Sequence, residues 1–365
     1  MVTQTGLQIG IAGAGIMGRL LAWQLQRAGH QVSLFDKDPA DFGGAAAYTA
    51  AGMLAPYSEL ESAESLIYQL GQRGLSLWPE LVASLDAEDC FFQRGSLVVA
   101  HQQDQADLQR FNLTLQRKIP DDSSVRLLNQ TALADCEPDL ATQFQQATQL
   151  ADEGWLYPRE IMRKLAEQLM AGGASWYANT AIEKIGPQQL HTADQQFHFD
   201  LVIDCRGLGA KQDIEKLRGV RGELLWVHAP EVTISRMVRL MHPRYRLYLV
   251  PQKDQQYILG ATQIESDDNS AISVRSALEL LSALYAIHPG FAEARITETK
   301  TNCRPALMDN LPLISTADGL IRVNGLFRHG WLLAPALVEE VLRYVQTQTI
   351  AESQFPSIYN EGRVS

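Results

Sequence analysis

The opening of the chain constrains its fold more than any other stretch. A short apolar run, Leu7-Gln8-Ile9-Gly10-Ile11-Ala12, leads into Gly13-Ala14-Gly15-Ile16-Met17-Gly18, then an apolar-periodic helix from Arg19 to Gly29. A second apolar run, Gln31 to Phe35, ends in Asp36. Three glycines at G-x-G-x-x-G spacing between a strand and a helix form a compact β-α-β unit. Gly13 lets the strand turn sharply, Gly15 has no Cβ to obstruct a pyrophosphate, and Gly18 lets the helix pack close to the strand. The helix then aims its unpaired amides and partial positive end at phosphates. This is a dinucleotide cradle. Asp36 is placed to accept hydrogen bonds from ribose hydroxyls, and a carboxylate there disfavours a 2′-phosphate, so FAD or NAD is favoured over NADP.

With 365 residues, 46% of them hydrophobic, the chain can bury a large core and form two domains. Its 31 basic and 42 acidic residues give a net charge of -11, which argues against a nucleic-acid partner or an anionic membrane surface. Cys90, Cys136, Cys205 and Cys303 are scattered with no C-x-x-C pair, and the eight histidines show no metal-ligand spacing, so no metal site is expected. Met1 to Gly6 is short and polar and no apolar run approaches a membrane span, so the expected compartment is the cytoplasm with reduced thiols.

Lys37 to Ala47 reads as a small-residue loop in which backbone amides approach a ligand closely. Glu61 to Leu85 has helical apolar spacing, interrupted near Gly71 and Gly74, and reads as a helical hairpin. Gly95 to Ala100 reads as a strand, Asp104 to Arg117 as a helix and Lys118 to Ser124 as a loop. Pro158 starts a helix over Arg159 to Ala171, and strands follow at 175–177, Thr180 to Ile185, His198 to Cys205 and Val220 to Val227. Arg246 to Pro251 and Tyr257 to Thr262 look like an antiparallel pair; period two puts Arg246 and Tyr248 on one face, Leu247 and Leu249 on the other. Val274 to His288 is an amphipathic helix ended by Pro289-Gly290.

Two later stretches carry a resemblance. Ala50-Ala51-Gly52-Met53-Leu54-Ala55-Pro56 resembles the A-A-G-M-L signature of FAD-dependent glycine oxidases, the thiamine-biosynthesis members of the D-amino-acid oxidase family. Cys303-Arg304-Pro305 is similar to that family's x-R-P turn, and Gly325-Leu326-Phe327-Arg328-His329-Gly330-Trp331-Leu332 to its G-x-x-R-x-G segment before the last helix. The resemblance implies an α/β fold: a Rossmann-type FAD-binding domain with a parallel central sheet, plus an α+β substrate domain with a largely antiparallel sheet. The first is expected from 1–85, 150–215 and 296–365, the second from 86–149 and 216–295. Carried over by position, Gly13, Gly15, Ile16, Met17, Gly18, Asp36, Lys37, Ala46, Ala47, Ala51, Gly52, Met53 and the Ile182 backbone would hold the FAD, together with Leu326, Phe327, Arg328, His329, Gly330, Trp331 and Leu332. Family members often carry Ser or Thr where this chain has Ala46 and Ala47, and a small residue where it has Arg206.

The same resemblance implies that Arg304 grips the substrate carboxylate, that Arg328 lies against the flavin, and that Tyr248 faces the active site. A planar guanidinium holds a carboxylate by two parallel charge-assisted hydrogen bonds, which fixes the α-carbon in direction as well as distance. The implied reaction is oxidation of glycine, sarcosine or a small D-amino acid, bound with its amine neutral, by hydride transfer from Cα to flavin N5. Dioxygen as acceptor gives hydrogen peroxide, and imine hydrolysis gives an oxo acid and ammonia. His329 reads as a backbone anchor rather than a base. The implied partners are the small amino acid, dioxygen, further copies of the chain (tetramers occur in the family) and the thiazole synthase of thiamine biosynthesis. A D-amino-acid dehydrogenase, a sarcosine oxidase with flavin tethered through Cys303, and a flavin-holding protein without turnover remain open alternatives.

Overall fold

In a computed structural model, which describes residues 6–241 and 247–361, the opening unit forms as its spacing requires. The strand Gln8–Ala12 passes through the glycine turn into the helix Ile16–Arg27 and returns as the strand Gln31–Phe35. These two strands pair in parallel within a seven-stranded sheet. Leu201–Asp204 lies beside Gln8–Ala12, Leu320–Asn324 beyond it and Ser175–Tyr177 beyond Gln31–Phe35, all parallel. Leu313–Ala317 adds an antiparallel strand at one side. The strands Leu201–Asp204 and Leu320–Asn324 are buried at every position, which a sheet covered on both faces demands.

A second sheet of nine strands is largely antiparallel; only Ser96–Val99 and Met237–Leu240 pair in parallel. Toward one edge runs the long strand Arg218–His228, which pairs with Gln256–Gly260 on one side and Arg295–Ala306 on the other. The strand Arg295–Ala306 thus belongs to the second sheet, although the boundary at 296 assigns it to the nucleotide segments. Leu247–Pro251 and Gln256–Gly260 pair antiparallel as their alternation predicts. Of the hydrophobic clusters among the described residues, the largest packs the helices Ile16–Arg27, Ser65–Ser84, Pro158–Ala171 and Gly330–Thr347 around the first sheet, and the next lies under the second sheet against the helix Val274–Ile287.

Three local expectations are corrected. Glu61 to Leu85 is no hairpin but contains one continuous helix, Ser65–Ser84. A Cβ on Gly71 would come within 2.9 Å of Leu332 Cδ2, and one on Gly74 would overlap the Leu332 carbonyl oxygen. Both glycines are therefore docking positions for the last helix, not breaks. Thr180 to Ile185 is mostly irregular; Lys184–Gly186 alone is strand, in a separate three-stranded sheet with Gln189–His191 and Gln196–His198. His198 to Cys205 is correspondingly split between that small sheet and the parallel one. Among the described residues no helix is long and apolar enough to cross a membrane, and no three His, Cys, Asp or Glu are gathered to hold a metal.

Candidate active site

The glycine turn sets the geometry of a long cleft. Gly13 adopts φ +98, and a Cβ there would lie 2.6 Å from the Cys205 carbonyl oxygen. Gly18 faces the Gly13 carbonyl oxygen so closely that a Cβ would overlap it. Both glycines are dictated by packing. Gly15 is different: a Cβ there would meet only Ala45 Cβ, at 3.8 Å. Its missing side chain keeps the cleft open instead. The buried Arg19 braces the turn, donating to the carbonyls of Ala14 (2.8 Å), Met162 (2.8 Å) and Ala40 (2.9 Å).

Gly13, Gly15, Ile16, Met17, Asp36, Lys37, Ala46 and Ala47 all line the cleft, and so do Leu326, Phe327, Arg328, Gly330 and Trp331, the last donating its Nε1–H to the Ala47 carbonyl oxygen at 3.2 Å. Asp36 accepts the amide N–H of Ala14 and, at 2.9 Å, that of Asp38, which aims the carboxylate and leaves further lone pairs for ribose hydroxyls. Two helices start at this cleft, at Ile16 and at Gly330, and neither has a side-chain cap or an acidic residue in its first turn. Their free N–H groups and positive ends suit phosphates at the first and a developing negative charge at the second. These residues fit FAD: a pyrophosphate acceptor set, a ribose carboxylate and an open glycine floor lie along one cavity.

Ile182 stands apart from the other members of the cofactor set. It is absent from the lining and packs against the buried cluster that includes Phe35 and Leu190, and its carbonyl oxygen accepts Arg206 Nη1 at 3.3 Å. Arg206 itself now has a purpose. Its Nε and Nη2 donate to the Asp204 carboxylate at 3.0 and 2.9 Å, and Nη2 also to Asp213 at 2.5 Å. It ties the end of the strand Leu201–Asp204 to the turn that follows.

A second arm of the cavity shares Ala50, Leu224, Arg304, Arg328 and Trp331 with the first. Ala51, Gly52, Met53, Tyr248, Gln263, His329 and Leu332 also line it, with Glu59 and Thr262 among the others, so the remaining predicted residues apart from Gly18 and Ile182 gather here. Arg246 lies outside the described residues. Arg304 is held by Thr262, whose carbonyl oxygen accepts Nη1 at 3.2 Å, and it makes no ion pair with a carboxylate among the described residues. Burial, and next the charge of Arg328, push its guanidinium pKa down to about 10, so the site gains from an arriving anion. Tyr248 is 4% exposed with no hydrogen-bond partner for its hydroxyl among the described residues, and burial raises its pKa. This hydroxyl, without a partner among the described residues, lines the same arm as Arg304, with the Arg328 guanidinium carbon 5.9 Å from its ring centroid, and is a second group awaiting a polar ligand.

Cys303 lines the cofactor cleft beside Arg304. Its Sγ meets the carbonyl oxygens of Ser266 (3.3 Å) and Asp268 (3.5 Å), and burial raises the thiol's pKa, which disfavours the thiolate a flavin tether needs.

Sequence reasoning missed two residues here. Gly222 sits opposite Asn302 in the ladder, and a Cβ on it would overlap Arg304 Nη2, so this glycine makes the guanidinium's berth. Glu59 lies in the short helical turn Pro56–Glu59 and pairs with Arg328, Oε1 to Nη2 at 3.1 Å, with His329 Nδ1 3.8 Å from its other oxygen. Neither pairing has a local signal, since partners distant in sequence create both. Glu153 stands behind this turn, fully buried, accepting from Ser58 N (2.6 Å), Ser58 Oγ (2.9 Å) and Ser96 Oγ (2.5 Å). Burial raises its pKa to about 7 against the pull of those hydrogen bonds.

Over residues 8–342 the chain matches the FAD dependent oxidoreductase family, DAO. The chain belongs to that family. This FAD-dependent oxidoreductase is of the glycine oxidase and ThiO type. It is 40% identical over 342 residues to a Rhizobium etli protein named for thiamine biosynthesis as the oxidoreductase ThiO, covering 94% of this chain and 97% of that one. It is 24% identical to a bifunctional ThiO/ThiG protein of Trichormus variabilis, covering 93% of this chain and 52% of that one. The crystal structure of glycine oxidase from Geobacillus kaustophilus shares the fold at a TM-score of 0.84 and 23% identity, over 98% of this chain and 100% of that one.

Proposed function

We propose that this oxidoreductase oxidatively deaminates glycine, and sarcosine or small D-amino acids, to the oxo acid, hydrogen peroxide and the freed amine, which is ammonia from a primary amine and methylamine from sarcosine. The observation that carries this reading is Arg304, a recessed guanidinium without a carboxylate partner among the described residues, at the junction of the cofactor cleft and a small side arm. When bound, FAD supplies a two-electron acceptor that dioxygen can reoxidise. The chain's own residues do the rest. Arg304 binds the substrate carboxylate and the Tyr248 hydroxyl gives it a further hydrogen bond, which orients Cα toward the cofactor cleft; orientation of this kind can supply roughly 7 to 11 kcal/mol of a barrier. Trp331, Leu332, Leu224 and Met53 wall the arm with apolar surface, which limits side-chain size and excludes water. Segments 1–85, 150–215 and 307–365 hold the cofactor in this reading, and 86–149 with 216–306 close over the substrate.

The product imine of glycine is then available for the thiazole of thiamine, with a hand-off to the thiazole synthase; relatives in which ThiO and ThiG share one chain support that partnership. The test is anaerobic addition of glycine, sarcosine and D-alanine to the yellow protein, followed by peroxide measurement in air. Bleaching by one or more of them with stoichiometric peroxide is expected. Persistence of the colour with all three overturns the proposal.

A further inference from the structure

The described side chains around the substrate arm include two guanidinium groups and one carboxylate, and their pairing is uneven. Arg328 is held by Glu59 at 3.1 Å, whereas Arg304 donates to the Thr262 carbonyl and has no carboxylate ion pair among the described residues. Glu59 is 5% exposed, so its pair with Arg328 sits out of bulk water. Its turn is pinned as well: Glu153 accepts the amide and hydroxyl of Ser58, and the Ser58 carbonyl oxygen accepts Arg239 Nη1 at 3.1 Å. Glu59, Arg328, His329 and Gln263 also line an adjoining cavity, so the ion pair forms the wall between that cavity and the substrate arm. An anion arriving at Arg304 meets a positive charge to be matched; a second anion arriving at Arg328 meets one already matched, with a fixed carboxylate beside it.

Resting on the amino-acid oxidase reading above, we propose that Glu59 is a specificity-determining residue. By holding Arg328 it leaves Arg304 as the carboxylate anchor, and it makes the site accept amines with one carboxylate and refuse those with two. Glu59 acts through charge, so a neutral isostere keeps the shape and removes the refusal.

The test uses the FAD-loaded protein and two matched pairs of probes. Acetate and malonate, which cannot be oxidised, are titrated against the flavin absorption spectrum to give dissociation constants. Sarcosine and iminodiacetate, secondary amines differing by one carboxylate, are compared by kcat/KM. The parent enzyme is expected to bind acetate at least tenfold more tightly than malonate and to favour sarcosine over iminodiacetate at least tenfold. Glu59→Gln is expected to shrink both ratios at least tenfold, through tighter malonate binding and a lower KM for iminodiacetate. A purely structural role would weaken acetate and malonate alike and leave the ratio unchanged, and that result overturns the proposal. Equal binding of acetate and malonate by the parent overturns it without any variant, and Glu59→Asp, which retains the charge, must retain the refusal. Failure of glycine to bleach the flavin strikes the reading beneath; bleaching with an unchanged ratio strikes only the role of Glu59.

Discussion

Gly222 and Arg304 show how one missing methyl group can decide a binding site. Because a Cβ on Gly222 would overlap Arg304 Nη2, Gly222→Ala must turn the guanidinium out of its berth. The expected outcome is retained yellow colour with a glycine KM raised at least tenfold, measured by peroxide release. Arg304→Lys keeps the charge but loses the two-pronged fork. A hydrogen bond to a charged group contributes about 1.5 to 3 kcal/mol, so kcat/KM for glycine should fall roughly ten- to hundredfold while flavin content holds. Tyr248→Phe tests the other group with opposite signs in two assays. Its hydroxyl is buried without a described partner, so removing it should raise the thermal stability of the ligand-free protein by about 1 kcal/mol, yet weaken acetate binding several-fold.

At the scale of elements, glycines of similar appearance do different work, and only some of that work is legible in the sequence. The turn at Gly13, Gly15 and Gly18 is readable because its strand, helix and acidic residue all lie within one short stretch, where spacing fixes geometry. Gly71 and Gly74 look like helix breaks in a linear reading, because the carbonyl and side chain of Leu332 that fill the space over them come from the far end of the chain. Glu59, Gly222 and Arg206 were opaque for the same reason: their roles are set by partners brought in by tertiary contact, or by strand register, and no period or local motif encodes those. A paired comparison follows. Gly74→Ala drives a methyl group into the Leu332 carbonyl and should destabilise the fold by about 1 to 3 kcal/mol in thermal unfolding, whatever the cofactor loading. Gly15→Ala meets only Ala45 Cβ at 3.8 Å, so the cofactor-free protein should lose about 1 kcal/mol or less, while FAD affinity by fluorescence titration drops at least tenfold.

At the scale of the whole molecule, Glu153 ties the helical turn Pro56–Glu59 to the second sheet. Its carboxyl group accepts from Ser58, next to the Arg328 partner Glu59, and from Ser96 on a strand of the second sheet. Burial raises its pKa from 4.5 to about 7, so between those values the folded protein holds a proton that the unfolded chain has released. Stability contributed by this group therefore falls as pH rises from 4.5 to about 7 and is level outside that window. A shift of this size corresponds to up to roughly 3 kcal/mol. Glu153→Gln presents a permanently neutral group of the same shape to both serines. The parent and the variant should match in thermal stability near pH 4.5, and the variant should pull ahead steadily to pH 7 and hold its lead above it. The comparison isolates Glu153 because every other titrating group is common to both proteins. A difference that stays constant from pH 4.5 to 8 would show that the buried carboxyl keeps one protonation state throughout, and that the attachment of the Pro56–Glu59 turn to the second sheet is indifferent to pH.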